Sequence, residues 1–204
     1  MIDVTNYDEI YKNYVFIDEA GRGCLAAEMV FTGLKITGDV SFANDSKKLS
    51  TKQRNDLVDK IKSNSEYFSV ITTAKDIDVF GLSAMIKRSL ENIIDHFGKN
   101  ENYLYDGNKT FGVTNKNLTT LIKADALVKG VGAASIIAKH TKDSLMSEHH
   151  KKYPNYNFLN NVGYATKEHI SAIKNYGYCE VHRMSYNVKE LQEFKNQKTT
   201  DILF

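Results

Sequence analysis

Apolar and polar positions follow two rhythms along this chain. Short β-branched and aromatic runs predict strands at Tyr14-Val15-Phe16-Ile17-Asp18, from Met29 to Ile36, from Tyr67 to Thr73, at Tyr103-Leu104-Tyr105 and from Thr120 to Lys123. Ala20-Gly21-Arg22-Gly23 closes the first run, Asp106-Gly107 the fourth, and Asp125 follows the fifth. Helical spacing joins Leu82, Met85, Ile86, Leu90, Ile93, Ile94 and Phe97 into one amphipathic helix. Ser50 with Gln53 reads as a capping box opening a helix to about Lys62, and Thr166 caps another reaching about Asn175. A long helix is expected from about Leu127 to His150, and beyond His182 a short helix and a loose tail. Strands come first, then strands alternate with helices. That order predicts an α/β architecture, a mixed sheet flanked by helices with a C-terminal helical segment.

Three acids break the apolar pattern in the same way. Asp18, Asp106 and Asp125 each lie at or just beyond the end of an otherwise apolar strand. Acidic residues are depleted in strands and are rarely buried without a partner. Singly, each fits a turn or a cap. Together they can converge above one sheet edge, where their mutual repulsion calls for a cation. Oxygen-only ligands suit Mg²⁺ or Mn²⁺ better than zinc. Glu19 adjoins Asp18, and on a regular strand the two face opposite sides. Both reach one site only if the strand ends or twists there.

Composition excludes more than it assigns. The 204 residues suit one domain, or one domain with a small helical appendage, and a chain of this size hides roughly 70% of its unfolded surface. Lys plus Arg number 27 against 25 Asp plus Glu, too balanced to announce a nucleic-acid binder by charge alone. Cys24 and Cys179 match no zinc or redox spacing and suggest inert thiols in a reducing compartment. The first residues resemble no secretion signal, and no apolar run approaches the ~20 residues of a membrane span, so a cytoplasmic location is expected. His149 and His150 are adjacent on a helix and share no face, which discounts them as a metal pair.

Eight blocks then carry a resemblance. Asp18-Glu19-Ala20-Gly21-Arg22-Gly23 resembles the D-E-A-G-R-G of ribonuclease HII. In order follow Asp45-Ser46-Lys47-Lys48-Leu49-Ser50, Asp106-Gly107-Asn108 and Lys123-Ala124-Asp125. Ala133-Ala134-Ser135-Ile136-Ile137-Ala138-Lys139 with Asp143 is similar to A-A-S-I-[IL]-A-K-x-x-R-D. Tyr153-Pro154 and Gly163-Tyr164-Ala165-Thr166 with His169 resemble Y-P and G-Y-G-T-x-x-H, and His182-Arg183-Met184-Ser185-Tyr186 resembles H-R-x-S-F. Departures concentrate after the first block: where the family has Pro, then Gly-Pro after two more residues, this chain has Cys24-Leu25-Ala26-Ala27-Glu28. The related ribonuclease HIII carries G-T-G in the first block and usually an extra N-terminal domain, which the short stretch before Tyr14 is not expected to hold.

The resemblance implies an RNase H-like catalytic domain over residues 1–150, with a helical segment over 151–204 that contributes to substrate binding and is continuous with it. It implies an endoribonuclease cutting 5′ to a ribonucleotide in DNA-RNA/DNA or RNA/DNA duplexes, by a two-metal mechanism with Mg²⁺ or Mn²⁺, leaving 5′-phosphate and 3′-OH in ribonucleotide removal. Alternatives are another metal-dependent nuclease on the same fold or an inactive nucleic-acid-binding relative. The implied catalytic and metal residues are Asp18, Glu19, Asp106 and Asp125, with Asp143 a structural acid. Gly21, Arg22 and Gly23 would read the 2′-OH, and Tyr164 would stack on the next sugar. Lys47, Lys48, His182 and Arg183 would meet phosphates, as would Lys139, Lys142, Lys151, Lys152 and Lys167. A monomer is expected. Gln192-Glu193-Phe194 and Ile202-Leu203-Phe204 form an incomplete sliding-clamp peptide in the tail.

Overall fold

The protein is described by a computed structural model that covers residues 6–42, 51–192 and 194. Strands β1 (Tyr14–Ala20), β2 (Met29–Ile36), β3 (Ser65–Thr72), β4 (Asn102–Asp106) and β5 (Leu118–Leu121) form one sheet in the order β3-β2-β1-β4-β5. β1, β2 and β3 pair antiparallel, whereas β4 runs parallel to β1 and β5 parallel to β4. The mixed sheet expected from the element order is therefore present. Its helices are α1 (Tyr7–Ile10), α2 (Thr51–Ser63), α3 (Ala74–Phe80), α4 (Leu82–Phe97), α5 (Ala124–Leu127), α6 (Lys129–Lys152), α7 (Phe158–Asn161) and α8 (Lys167–Tyr176).

Alternation along β1 divides the core. Val15 and Ile17 face one side and join Ile86, Leu90 and Ile93 of α4. Phe16 faces the other and joins Val58 and Ile61 of α2 with Val131, Ala134 and Ile137 of α6. The sheet is thus sandwiched between helices, and each large side chain so buried contributes about 1.5–3 kcal/mol. Every residue from Gly130 to Ala138 is buried, so this half of α6 is enclosed on all sides rather than amphipathic. Its small residues permit that depth: a Cβ on Gly130 would lie 2.3 Å from the Phe16 ring.

A third cluster joins the C-terminal segment to the loop between β1 and β2. Leu25, Ala26 and Ala27 pack with Met146, Tyr156, Phe158, Ile173, Val181 and Leu191. Backbone bonds reinforce the packing: Leu25 N–H and Ala26 N–H donate to Gly163 O, Ala27 N–H to Val181 O, and Arg183 N–H to Leu25 O. The loop that follows the first acids is consequently clamped between two parts of the chain distant in sequence.

Two local expectations change. Asp125 does not close a strand. β5 ends at Leu121, Lys123 turns through a left-handed conformation (φ 60°), and Asp125 sits on the single turn of α5. β1 does not end at Asp18. It continues in register to Ala20, with Glu19 opposite Phe31. Helix α3, unread in the sequence, carries a capping box between Thr73 and Asp76. Ser50, Lys47 and Lys48 lie outside the described residues, as do 195–204 of the tail. Among the described residues no helix is long and apolar enough to cross a membrane.

Candidate active site

Parallel pairing sets the first two acids side by side. Ile17 of β1 is in register with Tyr105 of β4, so the next residues, Asp18 and Asp106, come level where β4 ends. The α5 turn then delivers Asp125. One carboxylate oxygen from each of the three can be chosen so that all lie within 4.8 Å of one another. The Ala124 N–H donates to Asp106 Oδ1 at 3.1 Å, tying the α5 turn to the end of β4.

Asp18 is almost fully buried. Burial above all, then repulsion from Glu19 and Asp106, holds its carboxyl well above the usual range. Ser135 of α6 and the Glu19 N–H (2.8 Å) bond to it and pull the other way, without prevailing. Ser135 is a polar residue within the enclosed Gly130–Ala138 run, a signal that was available in the sequence.

Glu19 faces the opposite side of β1 and is not among the three clustered acids. Burial raises its pKa; the Tyr105 hydroxyl beside it and Arg22, 3.6 Å away, lower it less. Glu19 Oε2 and Tyr105 OH are both buried, and neither reaches a partner at full hydrogen-bond geometry. Burial first, and then the Glu19 charge, drives the Tyr105 phenol far above its ordinary value. A carboxylate oxygen buried in this way, next to three clustered acids, is the condition a hard cation relieves. The donor set, all oxygen, fits such an ion.

A cleft of about 540 Å³ opens over these groups, lined among others by Asp18, Glu19, Asp106, Ser135 and Tyr164. The Gly21-Arg22-Gly23 turn forms one wall. Gly21 has φ 86°, and a Cβ there would come within 2.4 Å of the Lys142 side chain and 2.8 Å of Glu28 O. Only glycine fits that conformation and that space. Tyr164 is half exposed, with its ring edge 3.9 Å from where a Gly23 Cβ would stand.

The basic residues sort differently from expectation. Arg183 and His182 were expected to meet phosphates, but both are buried. Arg183 Nε and Nη2 donate to Ala27 O, and Nη1 donates to Arg22 O and Tyr186 OH. Its guanidinium satisfies carbonyls that the irregular loop leaves without ladder partners. Lys142 is buried too, beneath Gly21 and 3.4 Å from Met146 Sδ. Lys139 lines the cleft and pairs with Asp143 at 2.5 Å, while Lys151 and Lys152 pair with Glu148 and Glu180. Lys167 is exposed.

Comparison with known proteins decides what this cleft belongs to. The family model described as Ribonuclease HII matches residues 16–189. The chain belongs to the ribonuclease HII family. It is a hydrolase, a ribonuclease H endonuclease. Ribonuclease HII of Aliarcobacter butzleri is 44% identical over 183 residues, 89% of this chain and 94% of that protein. The Sulfurovum ribonuclease HII is 43% identical over 87% of this chain and 93% of its own length. Two archaeal structures share the fold at a TM-score of 0.73. One is the Archaeoglobus fulgidus ribonuclease HII solved as a complex with PCNA (24% identity, 84% of this chain, 92% of that one). The other is ribonuclease H2 of Pyrococcus horikoshii (23% identity, 90% and 97%). A ribonuclease HIII solved with Mn²⁺ shares the fold at 0.68 (16% identity, 91% and 71%). Ribonucleases H depend on divalent metal, and the acid cluster described above is where this member of the ribonuclease HII family offers suitable ligands.

Proposed function

We propose that the chain incises duplexes on the 5′ side of a ribonucleotide, in DNA or in an RNA/DNA hybrid, leaving a 5′-phosphate and a 3′-OH. One observation carries the reading: three carboxylates lie within 4.8 Å of one another, and two of them, Asp18 and Asp106, line a cleft with a glycine turn that brings backbone close to whatever enters.

Asp18, Asp106 and Asp125 hold Mg²⁺ or Mn²⁺, with Glu19 joining from the other side of β1. When bound, these cations supply Lewis acidity, a more acidic water and charge relief for the leaving oxygen. The chain's own groups do the rest. Ser135 and the Glu19 N–H aim Asp18. Tyr105 limits where Glu19 can swing. Backbone groups of Gly21, Arg22 and Gly23 read the 2′-OH, the group that distinguishes ribose. Tyr164, on the facing wall, stacks against the neighbouring deoxy sugar and leaves no room for a hydroxyl there. Lys139 and Lys167 border the path of the backbone and position without reading sequence.

In this reading residues 1–150 and 151–204 work as one continuous unit, because the loop after β1 is held by the C-terminal segment. The protein acts as a cytoplasmic monomer. The PCNA complex of the Archaeoglobus protein supports a sliding-clamp contact, here through the tail beyond Lys189.

The test is incubation with duplex DNA carrying one ribonucleotide, beside an all-DNA duplex. Incision 5′ to the ribose with Mg²⁺ or Mn²⁺, and none in excess chelator, is expected. Equal cutting of the all-DNA duplex would instead indicate a less selective nuclease on this fold, and binding without cutting would indicate an inactive relative.

A further inference from the structure

Tyr164 stands on an irregular segment, yet its main chain is held by a hydrogen-bond chain that crosses the C-terminal cluster. The Tyr164 carbonyl accepts from the Thr166 N–H (2.8 Å) and lies 2.8 Å from His169 Nδ1. His169 Nε2 lies 3.0 Å from His182 Nε2. His182 Nδ1 lies 2.9 Å from the Cys179 N–H.

The two ends fix every proton. A carbonyl only accepts, so His169 Nδ1 carries hydrogen. In a neutral ring His169 Nε2 then accepts, and His182 Nε2 must donate to it. His182 Nδ1 then accepts, which is what the Cys179 N–H requires from the far end. The opposite arrangement sets two acceptors face to face at Tyr164 and two donors at Cys179. The Cys179 carbonyl, 3.2 Å from His182 Nδ1, already accepts the His182 N–H at 3.0 Å and does not need the ring, and the Cys179 thiol, 3.1 Å from the same nitrogen, can donate its own hydrogen there. Both imidazoles are enclosed, with Tyr156 and Phe158 rings 5.0–6.4 Å from them. Burial lowers both pKa values, that of His182 to about 4, which keeps the rings neutral.

We infer that His169 and His182 are positioning residues: through this one-way chain of hydrogen bonds they hold the main chain of Tyr164, and with it the ring facing Gly23, in the place where it selects the ribonucleotide junction. The inference rests on the substrate role proposed for Tyr164. Neither histidine touches substrate. The His182 main chain also bridges to Ala26, in the loop that follows Gly23.

The first experiment needs no variant. Long-range ¹H–¹⁵N spectra of the histidine-labelled protein near neutral pH are expected to show His169 protonated at Nδ1 alone and His182 at Nε2 alone. Either residue in the opposite tautomer, or doubly protonated, overturns the chain. The second is a double-mutant cycle on a single-ribonucleotide duplex. His182→Leu is expected to lower kcat/KM on the order of 10-fold while affinity for all-DNA duplex stays constant. His182→Gln, which retains an N–H near the Nε2 position, is expected to recover most of that loss. In a Tyr164→Ala background His182→Leu is expected to cost nothing more, and additive losses would contradict positioning through Tyr164. If Tyr164→Ala alone leaves junction cleavage unchanged, the stacking role is what fails, and the tautomers still decide whether the relay exists.

Discussion

Two buried polar regions border the same cleft and are opposite in character. At the sheet end, Asp18, Asp106 and Asp125 crowd like charges together, and Glu19 keeps a buried oxygen without a full hydrogen bond. In the C-terminal segment, Arg183 donates four hydrogen bonds, and the two histidines complete a chain with both ends satisfied. The first region is electrostatically unfinished; the second is closed. The difference separates chemistry from support. Groups that must bind a cation gather like charges, while groups that shape the cleft pair donors with acceptors.

The sharpest way to break this contrast is to neutralise one acid. Asp18→Asn removes a ligand worth several kcal/mol of charge stabilisation, so cleavage of a ribonucleotide-containing duplex is expected to fall about 1000-fold or more. Metal-free stability is expected to stay level or rise, because burial and neighbouring carboxylates oppose the Asp18 charge. Parallel kinetics and thermal melts check both halves; a protein that lost stability along with activity would show Asp18 to be structural.

The mirror experiment is Arg183→Met. It leaves Ala27 O without its two side-chain donors and Arg22 O with Tyr186 OH alone, at a cost of about 3 kcal/mol. Urea denaturation measures it, and a shift below about 1 kcal/mol would mean that the loop does not depend on that guanidinium.

The two regions also respond to pH with opposite sign. His182 has a folded pKa of about 4 against 6.5 for the free side chain, so its neutral form stabilises the fold fully above pH 6.5. That contribution is lost as pH falls from 6.5 to about 4, at up to about 1.4 kcal/mol per pH unit. Asp18, raised above 3.8, does the reverse: its contribution is lost as pH rises through its folded value. Denaturation midpoints of the metal-free protein across this window separate them. His182→Gln is expected to flatten the rise with pH and Asp18→Asn to steepen it. Identical profiles for all three proteins would contradict both assignments.

The smallest expected effect concerns Ala27, which occupies a left-handed conformation (φ 68°) where the family pattern has glycine. Ala27→Gly relieves about 1–2 kcal/mol of strain and adds about 0.5–1 kcal/mol of unfolded-chain entropy. A net gain of about 0.5–1 kcal/mol is expected in denaturant.

What could be read in advance follows the physics of each segment. β2 and α4 match their predicted spans because period-2 and period-3.6 patterns are local. Asp18, Asp106 and Asp125 stood out because an acid at the end of an apolar run is anomalous; a parallel β1–β4 pair brings the first two level, and the α5 turn, which the sequence pattern did not give, brings the third. Glu19 was half legible: alternation gave the opposite face, and β1 keeps it. Arg183 was misplaced because its burial depends on partners about 160 residues away in sequence at Arg22 and Ala27, and His182 because its ring is enclosed by His169, Cys179, Tyr156 and Phe158. Nothing local reveals that a basic residue has such carbonyls to satisfy. The turn at Val162 passes through a left-handed conformation that its β-branched residue type does not announce.

The most direct measurement is Mn²⁺ binding, followed by calorimetry, to the unaltered protein and to a form with Asp18, Asp106 and Asp125 all changed to Asn. The unaltered protein is expected to bind Mn²⁺ and to melt at a higher temperature with it, and the triple variant to stay folded and do neither. Equal Mn²⁺ affinity in the two proteins would contradict the convergence of these three carboxylates on a cation.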